Sequence, residues 1–390
     1  MALNERKLND ALQSFRVAHD AELSQIPGPY LSAYTNLPLK IAILSGCRTL
    51  YIHKLHEKYV QNIKRDLGKY GSSDVMKQWT LMTTDILGSL AFGQSFGNTK
   101  NEEKNQMVRD VEAVMPIIGV RAELPWTKPI FNVIPSWLPL GLNALWERFN
   151  EYGEEAVRAT RAAQAGGNKT LFSRMVLDDK NAQDVPDSLI VQEAANVITA
   201  GTDTTAMTLT YLVYTVLKHE EVEQKLIREL TALPPDPEFD QLNKLSYLQN
   251  VIQEVMRLHP AVPGSLPRIV PAGGGRLGKY TIPAGTQVST QAWTLQRDGA
   301  VFPDPLKFDP DRWNDPTPAM KEHMLVFGGS ARICLGQNIA RLTLAHAVST
   351  LFRECADITL APETTEESME MVDYFAIKPK AQKCVIVPTK

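Results

Sequence analysis

The chain has 390 residues, and its 41 Lys and Arg against 44 Asp and Glu give a net charge of −3. This near-neutral balance argues against nucleic acid as a partner, because polyanion-binding proteins have strongly basic surfaces. With 44% hydrophobic and 22% charged residues, the composition is that of a folded soluble protein. It excludes the disordered, collagen-like and disulfide-scaffold classes.

The cysteines and the apolar segments limit the compartment and the membrane topology. Cys47, Cys334, Cys355 and Cys384 lie far apart without CxxC spacing, so neither a zinc ribbon nor a disulfide framework is expected. The polar N-terminus lacks the apolar core of a signal peptide, and no window reaches about 18 consecutive apolar residues. We therefore expect no membrane-spanning helix. Residues 129–146 are either a core-facing loop and helix start or a peripheral membrane contact.

The first elements in chain order are helices. Apolar spacing of three or four residues predicts helices over residues 73–92 and 140–165, which is the period of amphipathic helices. The longest apolar pattern follows a helix-entry signal at Pro186 and predicts a long, buried central helix over residues 187–219. The first two-thirds of the chain is therefore predicted to be helical.

The last third differs, because prolines and glycines occur every few residues after residue 260. Short runs there predict strands, and one more helix is expected before the C-terminus. The strands are predicted near residues 280–282, 286–290 and 384–387, and the helix over 337–352. Since no internal repeat or low-complexity linker separates the two parts, we predict one mainly α domain with a small β part.

A glycine-rich turn, FGGSARICLG at residues 327–336, places Cys334 directly before the predicted last helix. Backbone N–H groups in such a turn and the N-terminal end of the helix dipole stabilise a thiolate. Arg332 adds a cation that is able to hold an anionic group. A thiolate in this position can ligate iron. The alternative is a buried, inert cysteine beside a glycine loop.

Residues 200–205, AGTDTT, lie in the middle of the long apolar helix. Glycine costs about 1 kcal/mol against alanine there, and β-branched threonines also propagate a helix poorly. Asp203 followed by the Thr204 hydroxyl is suited to proton delivery, because threonine bonds back to the preceding turn and opens a space for water. The alternative is a polar stripe that faces a neighbouring helix.

Glu254 and Arg257 form an i,i+3 pair on one face of a predicted helix. On a solvated helix such a pair contributes only about 0.2–0.5 kcal/mol. The apolar residues around it indicate partial burial, where a paired network offsets desolvation. We expect a third partner, and Arg312 is the best candidate.

These motifs resemble one family when they are taken together and in order. They are AGTDTT, EVMR (254–257), LPR (266–268), FPDPLKFDPDRW (302–313) and FGGSARICLG. The set resembles the cytochromes P-450, the haem-thiolate monooxygenases, and most of all their fungal microsomal members. The resemblance covers residues 60–390, and residues 26–59 are similar to the proline-rich hinge and first helix of the family.

The resemblance implies a single haem-thiolate domain over residues 1–390, with the central helix over the haem and the cysteine-ligand loop before the C-terminal helix. Its parts would be a polar N-terminal segment, a hinge with the first helix, a helical part, and a β and loop part with the cysteine. These correspond to residues 1–25, 26–59, 60–260 and 261–390.

The resemblance also assigns site residues. Cys334 would be the axial iron ligand of haem b, with Phe327 packed over the ligand and Gly336 allowing close approach to the porphyrin. Arg332 and Arg268 would bind the haem propionates. A thiolate ligand favours cleavage of the O–O bond, which a buried acid and hydroxyl would assist.

Two further groups of residues complete the expected site. Asp203 and Thr204 would deliver protons to bound oxygen. Glu254, Arg257 and Arg312 would form the structural triad of the family.

The sequence departs from the family pattern at three places. Ser330 replaces a usual glycine, and its small side chain is expected to be tolerated. No membrane anchor precedes the hinge, so a soluble or peripherally bound form is expected. Tyr59 is followed directly by Val60, where the family has a long segment with most of the first sheet, a substrate-covering helix and a WxxxR motif. Trp293 and Arg297 match that spacing, but their position assigns them to another part of the fold.

The expected function is a monooxygenase that inserts one atom of O₂ into a small lipophilic substrate, in fungal secondary metabolism. Electrons would come from NADPH through an NADPH-cytochrome P-450 reductase, on the cytosolic side of the endoplasmic reticulum. One alternative is a haem-thiolate isomerase or dehydratase without a reductase, against which Asp203 and Thr204 argue. The other is an inactive chain with poor haem binding, because the missing segment would leave the haem edge open to water.

Overall fold

A computed structural model describes residues 47–98, 103–123, 142–165, 170–176, 186–235, 237–264, 266–329 and 332–389. The interpretations of residues 1–46, of residues 129–141 and of Ser330 lie outside these ranges. Within the described chain, no helix is long and apolar enough to cross a membrane.

Helices dominate the structure. In chain order they are α1 Cys47–Tyr70, α2 Val75–Leu87, α3 Gln106–Glu123, α4 Leu142–Ala165, α5 Ser173–Val176, α6 Asp187–Leu217, α7 Glu220–Thr231, α8 Phe239–Asn243, α9 Ser246–Leu258, α10 Ala292–Leu295, α11 Pro318–His323 and α12 Gln337–Glu354. A π-helical turn, Gly88–Phe92, continues α2, and a 3₁₀ turn, Pro310–Asn314, precedes α11.

The strands are short and all antiparallel. They are β1 Ser73–Asp74, β2 Arg268–Ile269, β3 Gly275–Leu277, β4 Tyr280–Ile282, β5 Gln287–Val288, β6 Ile358–Leu360, β7 Met371–Asp373, β8 Ile377–Pro379 and β9 Val385–Pro388. One sheet has the order β1-β9-β6, and β2-β5, β3-β4 and β7-β8 form two-stranded sheets. The mainly α fold with a small β part, typical of the cytochromes P-450, is thereby confirmed.

The predicted boundaries differ from the observed ones by a few residues at several ends. The central helix ends at Leu217 rather than at 219, because the chain turns at Lys218 and His219 to begin α7. The helix predicted over 73–92 begins only at Val75, since Ser73 and Asp74 pair with β9. The Asp74 carboxylate caps α2 by accepting from the N–H groups of Met76 and Lys77.

The core is built around α6. This helix packs against α2, α4 and α12, and α1 packs against α2 and α12. The approach of α6 to α2 is close at Gly201, where an added Cβ would lie 2.7 Å from a methyl carbon of Leu87. Glycine at this position therefore has a packing reason, because any side chain would push the two helices apart.

α1 runs without interruption through Tyr59 and Val60. These are the two residues between which the family is expected to have a long segment, and the absence of that segment here is the predicted deletion. Both side chains are fully buried in the main apolar cluster, together with Ile63 one turn later. The junction therefore forms regular helix inside the core rather than a loop at the surface.

Candidate functional site

The loop before α12 holds Cys334 by backbone hydrogen bonds. The Cys334 N–H donates to the carbonyl oxygen of Phe327 at 2.8 Å, and the Gly328 N–H donates to Leu325 at 2.9 Å. Gly328 has a φ of +69°, a conformation that favours glycine because it crowds a Cβ. The chain thus reverses tightly and brings the cysteine to the N-terminus of α12.

The Cys334 side chain is solvent-exposed at one end of the loop. Protein atoms on its inner side raise the pKa of the thiol by desolvation, and the N–H groups of Gly336 and Gln337 oppose this by lowering it. These N–H groups belong to the first turn of α12, where backbone donors lack helical partners and favour negative charge. The nearest atom to a Cβ added at Gly336 would be the Cys334 sulfur, at 3.9 Å, so that side of the loop is open.

Two guanidinium groups lie near this loop. Arg332 is in the loop, and Arg268 is in β2, where it donates to the carbonyl of Pro267 at 2.8 Å. Burial lowers the pKa of Arg332, and the positive charge of Arg268 lowers it further. Two guanidinium groups close enough to affect each other's charge favour binding of an anion, because carboxylates and phosphates accept paired hydrogen bonds from arginine.

Glu254 and Arg257 are fully buried and form a bidentate pair at the C-terminal end of α9. Arg257 donates from Nε and Nη2 to the two Glu254 oxygens, both at 2.8 Å. The Arg312 Nε donates to Glu254 Oε1 at 2.9 Å. The three residues expected to act together are therefore in contact, and the carboxylate joins both cations.

The network extends into the irregular segment ahead of the cysteine loop. Trp313 Nε1 donates to Glu254 Oε2 at 2.8 Å, and the N–H of Asp309 donates to Oε1 at 3.0 Å. Arg257 Nη1 donates to the carbonyls of Gln296 and Pro305, both at 2.7 Å. A buried ion pair needs such hydrogen bonds to offset its desolvation, and here they fix the segment to α9.

Asp203 is fully buried on α6, with Oδ2 3.0 Å from Nζ of Lys378 in β8. Burial raises the pKa of its carboxyl, and the charge of Lys378 acts in the opposite direction. The neighbouring Thr204 is half-buried and donates from Oγ1 to the carbonyl of Ala200 at 2.9 Å. Asp203 therefore contacts the C-terminal hairpin, and Thr204 bonds back to its own helix.

One face of α6 is open along its N-terminal half. Ser188, Gln192, Asn196 and Ala200 are exposed, and Thr204, four residues on, is half-buried. Residues at i,i+4 spacing share a face, so they form a continuous open strip from the first turn of the helix to Thr204, beside Asp203. The end of this strip at Thr204 is a surface that a bound group can cover.

Three contacts of the site and its supporting helices could not be predicted from the sequence. Trp313 follows Arg312 at the end of the FPDPLKFDPDRW motif. Its position in the sequence did not predict that its ring N–H would donate to Glu254. Lys378 has no local signal, because its partner Asp203 is distant in the chain. The hydroxyl of Thr83 in α2 lies 2.8 Å from the carbonyl oxygen of Thr202 in α6, and this link needs the helix packing to be known.

The mainly helical fold and the cysteine loop before α12 are those expected of a haem-thiolate oxidoreductase, and comparison with known proteins identifies the family. The chain belongs to the cytochrome P450 family, because the family model Cytochrome P450 matches residues 49–385. It is similar to cytochrome P450 monooxygenase orf2 of Aspergillus niger, 32% identical over 363 residues, which is 90% of this chain and 72% of the relative. It is also similar to cytochrome P450 monooxygenase tazI of Aspergillus terreus, 35% identical over 336 residues, 84% of this chain and 68% of the relative. The protein is accordingly an oxidoreductase of the monooxygenase type.

A third relative bears on the predicted deletion. Cytochrome P450 monooxygenase stcB of Emericella nidulans is 28% identical over 484 aligned positions, which cover 97% of this chain and 91% of the relative. The alignment is longer than the 390-residue chain, so this relative contains residues that have no counterpart here.

The family implies a haem held by a cysteine thiolate, and the residues present fit such a group. Cys334 has an open sulfur with two N–H groups directed at it. Arg332 and Arg268 offer positive charge for propionates. Among the residues that the structure describes, no cluster of three or more His, Cys, Asp or Glu could hold a metal ion by itself, and a porphyrin iron needs only the one thiolate.

Proposed function

We propose that this chain binds haem b through Cys334 and inserts one oxygen atom from O₂ into a lipophilic organic substrate, as part of fungal secondary metabolism. We further propose that its electrons come from NADPH through a cytochrome P450 reductase at the endoplasmic reticulum. The observation that carries the proposal is the open Cys334 sulfur at the N-terminus of α12, where the N–H groups of Gly336 and Gln337 act on it. The fungal monooxygenase relatives support it.

Cys334 is the proposed iron ligand. The N–H groups of Gly336 and Gln337 favour its thiolate form. When bound, haem with a thiolate ligand supplies the O₂ activation that no side chain can perform. Phe327 is the first residue of the cysteine loop, and its ring lies under the Arg341 guanidinium of α12 at 5.1 Å.

Arg332 and Arg268 are the proposed propionate partners. They come from the cysteine loop and from β2, so two separate elements would hold the anionic edge of one ligand. Charge-assisted hydrogen bonds of this kind each contribute about 1.5–3 kcal/mol. They would orient the ligand relative to Cys334 and draw β2 towards the loop.

Asp203 and Thr204 are the proposed proton-handling pair. Burial raises the pKa of Asp203, which favours the protonated carboxyl that a proton donor needs. The Thr204 hydroxyl already donates to Ala200, so its oxygen lone pairs are left to accept a hydrogen bond from water on the open face. Asp203 would hold a proton at a carboxylate oxygen, and Thr204 would position the water that passes it on.

The test is the absorption spectrum of the purified chain, reduced with dithionite, before and after carbon monoxide. We expect a strongly red-shifted Soret band, the signature of thiolate ligation. Cys334→Ala should abolish it, while the matched control Cys355→Ala, at a buried cysteine outside the site, should leave it intact. An unchanged band in Cys334→Ala, or no haem band in the parent chain, would overturn the assignment.

One observation favours a second candidate, a chain that folds but binds haem poorly. The Emericella nidulans relative has residues without counterpart here. Titration of the purified chain with hemin distinguishes the candidates, because a monooxygenase should take up one equivalent. Product formation without reductase and NADPH would instead indicate an isomerase or dehydratase.

A further inference from the structure

A ladder of alternating charges leads from Asp203 towards the surface. Lys378 Nζ lies 3.0 Å from Asp203 Oδ2 and 3.9 Å from Glu112 Oε1. Glu112 Oε1 in turn lies 2.6 Å from Nζ of Lys104. Two acids and two cations thus alternate, and the four charges sum to zero.

Exposure increases along this ladder. The Asp203 side chain is 0% exposed, Lys378 16%, Glu112 21% and Lys104 27%. The buried acid is therefore connected to partly hydrated groups through its own ion pair. Since a fully buried carboxylate is costly without a cation, Lys378 is the group that makes a charged Asp203 tolerable in the core.

The backbone places Lys378 by close packing of the β7-β8 hairpin. An added Cβ at Gly119 of α3 would lie 1.4 Å from the carbonyl oxygen of Tyr374, so the hairpin lies directly on that helix. The Ile377 N–H donates to the carbonyl of Ala261 at 3.0 Å. These contacts hold the residue before Lys378 and fix its ammonium group between α3 and α6.

We propose that Lys378 is the positioning residue of Asp203, which stabilises the charged form against the effect of burial and orients the carboxyl so that it can release its proton, and that Glu112 and Lys104 modulate this interaction from the solvent side. The inference rests on the proposed proton-handling role of Asp203. It adds a part of the chain, the C-terminal hairpin, that no sequence motif connects with that role.

The charges around Asp203 act with different signs. Burial raises its pKa most, Lys378 and Lys104 lower it, and Glu112 raises it. Removing Lys378 must therefore raise the pKa of Asp203, and removing Glu112 must lower it. These opposite shifts test the electrostatic link to Asp203, and the hydrogen peroxide readout below tests its part in proton delivery.

The test follows the infrared C=O stretching band of protonated carboxyl groups against pH, in the purified chain with or without haem. Asp203→Asn identifies the band by removing it. In Lys378→Met we expect the midpoint to move to higher pH by about one unit or more, as for the loss of a cation within 4 Å. Lys378→Arg should keep the parent midpoint, and Glu112→Gln should move it to lower pH. Equal midpoints in the parent and in Lys378→Met would overturn the proposal.

If Lys378→Met does not fold, substitutions at two partly exposed positions still test the proposal. Glu112→Gln and Lys104→Met are expected to shift the Asp203 midpoint in opposite directions, and shifts of one sign in both would also overturn the proposal.

A separate readout applies to chain that carries haem. Lys378→Met should release a larger share of the consumed O₂ as hydrogen peroxide than Lys378→Arg does. If the parent chain takes up no haem, the proposed function fails, while the infrared shifts still decide whether Lys378 controls Asp203.

Discussion

The Tyr59 hydroxyl donates a hydrogen bond to Oδ2 of Asp85 at 3.1 Å, so a polar contact joins α1 to α2 inside the apolar core. Oδ1 of Asp85 accepts from the N–H of Asn98 at 3.2 Å and from its side-chain amide at 3.3 Å. Within the part of the chain that the structure describes, at least these three donors hold a fully buried carboxylate. The residue directly before the predicted deletion therefore has a specific structural task in this chain.

Replacing Tyr59 by Phe should reduce the free energy of unfolding by about 1–3 kcal/mol, because Asp85 loses a donor that water cannot replace. Urea denaturation of the purified chain measures this change. The control is Tyr70→Phe, at a position 65% exposed in the last turn of the same helix, which should have little effect. Equal effects of the two substitutions would show that the contact does not stabilise the fold.

Replacing Glu254 by Gln should reduce the free energy of unfolding by about 3–5 kcal/mol, because Arg257 would remain buried without its counter-charge. Glu354→Gln is the matched control, since Glu354 pairs with Lys64 at 3.0 Å on the surface. Exposed pairs contribute at most about 1 kcal/mol. A loss as small as that of the control would mean that the Glu254 network is not a stabilising feature.

Replacing Gly201 by Ala should destabilise the chain by about 1–3 kcal/mol, because the new methyl group overpacks Leu87. Combining it with Leu87→Ala should cost less than the sum of the two single effects. Gly68→Ala in α1 is the contrasting control, since no atom lies within 4 Å of the added Cβ. It should stabilise the helix by about 0.5–1 kcal/mol, and destabilisation of similar size at both glycines would contradict the packing argument.

His259 should make the chain less stable as the pH falls below about 6.5. Burial lowers its pKa to about 3, and the charges of Arg297 and Arg257 act in the same direction. The unfolded chain, with an ordinary histidine pKa of about 6.5, binds the proton first. Folding stability therefore falls with decreasing pH by about 1.4 kcal/mol per unit for this one group.

His259→Phe retains a ring that can stack on Tyr211, whose centroid lies 4.6 Å away, and removes the titration. Its free energy of unfolding should fall less steeply than that of the parent as the pH decreases from about 7, and the difference in slope should approach one proton, about 1.4 kcal/mol per pH unit, near pH 5. Identical slopes would show that His259 is not a neutral buried group.

The sequence predicted features that depend on local periodicity. The central helix and the Glu254–Arg257 pair follow from helical spacing, which fixes residues three apart on one face. The contact with Arg312 was inferred from the need for a third partner. The link between Asp203 and Lys378 was not predictable, because it depends on how the β7-β8 hairpin lies on α3. The π-helical turn after α2 was also missed, since its residues continue the same apolar pattern.

The continuity of α1 has a consequence for how longer relatives are built. The Cα atoms of consecutive residues are about 3.8 Å apart, and Tyr59 and Val60 are both fully buried. A segment inserted between them would have to leave and re-enter the core at a single point, with its two ends adjacent. Such an insertion would also interrupt the backbone hydrogen bonds of α1 at this turn. One continuous helix in this chain therefore does the packing that a relative with a segment at this point divides between two helix ends.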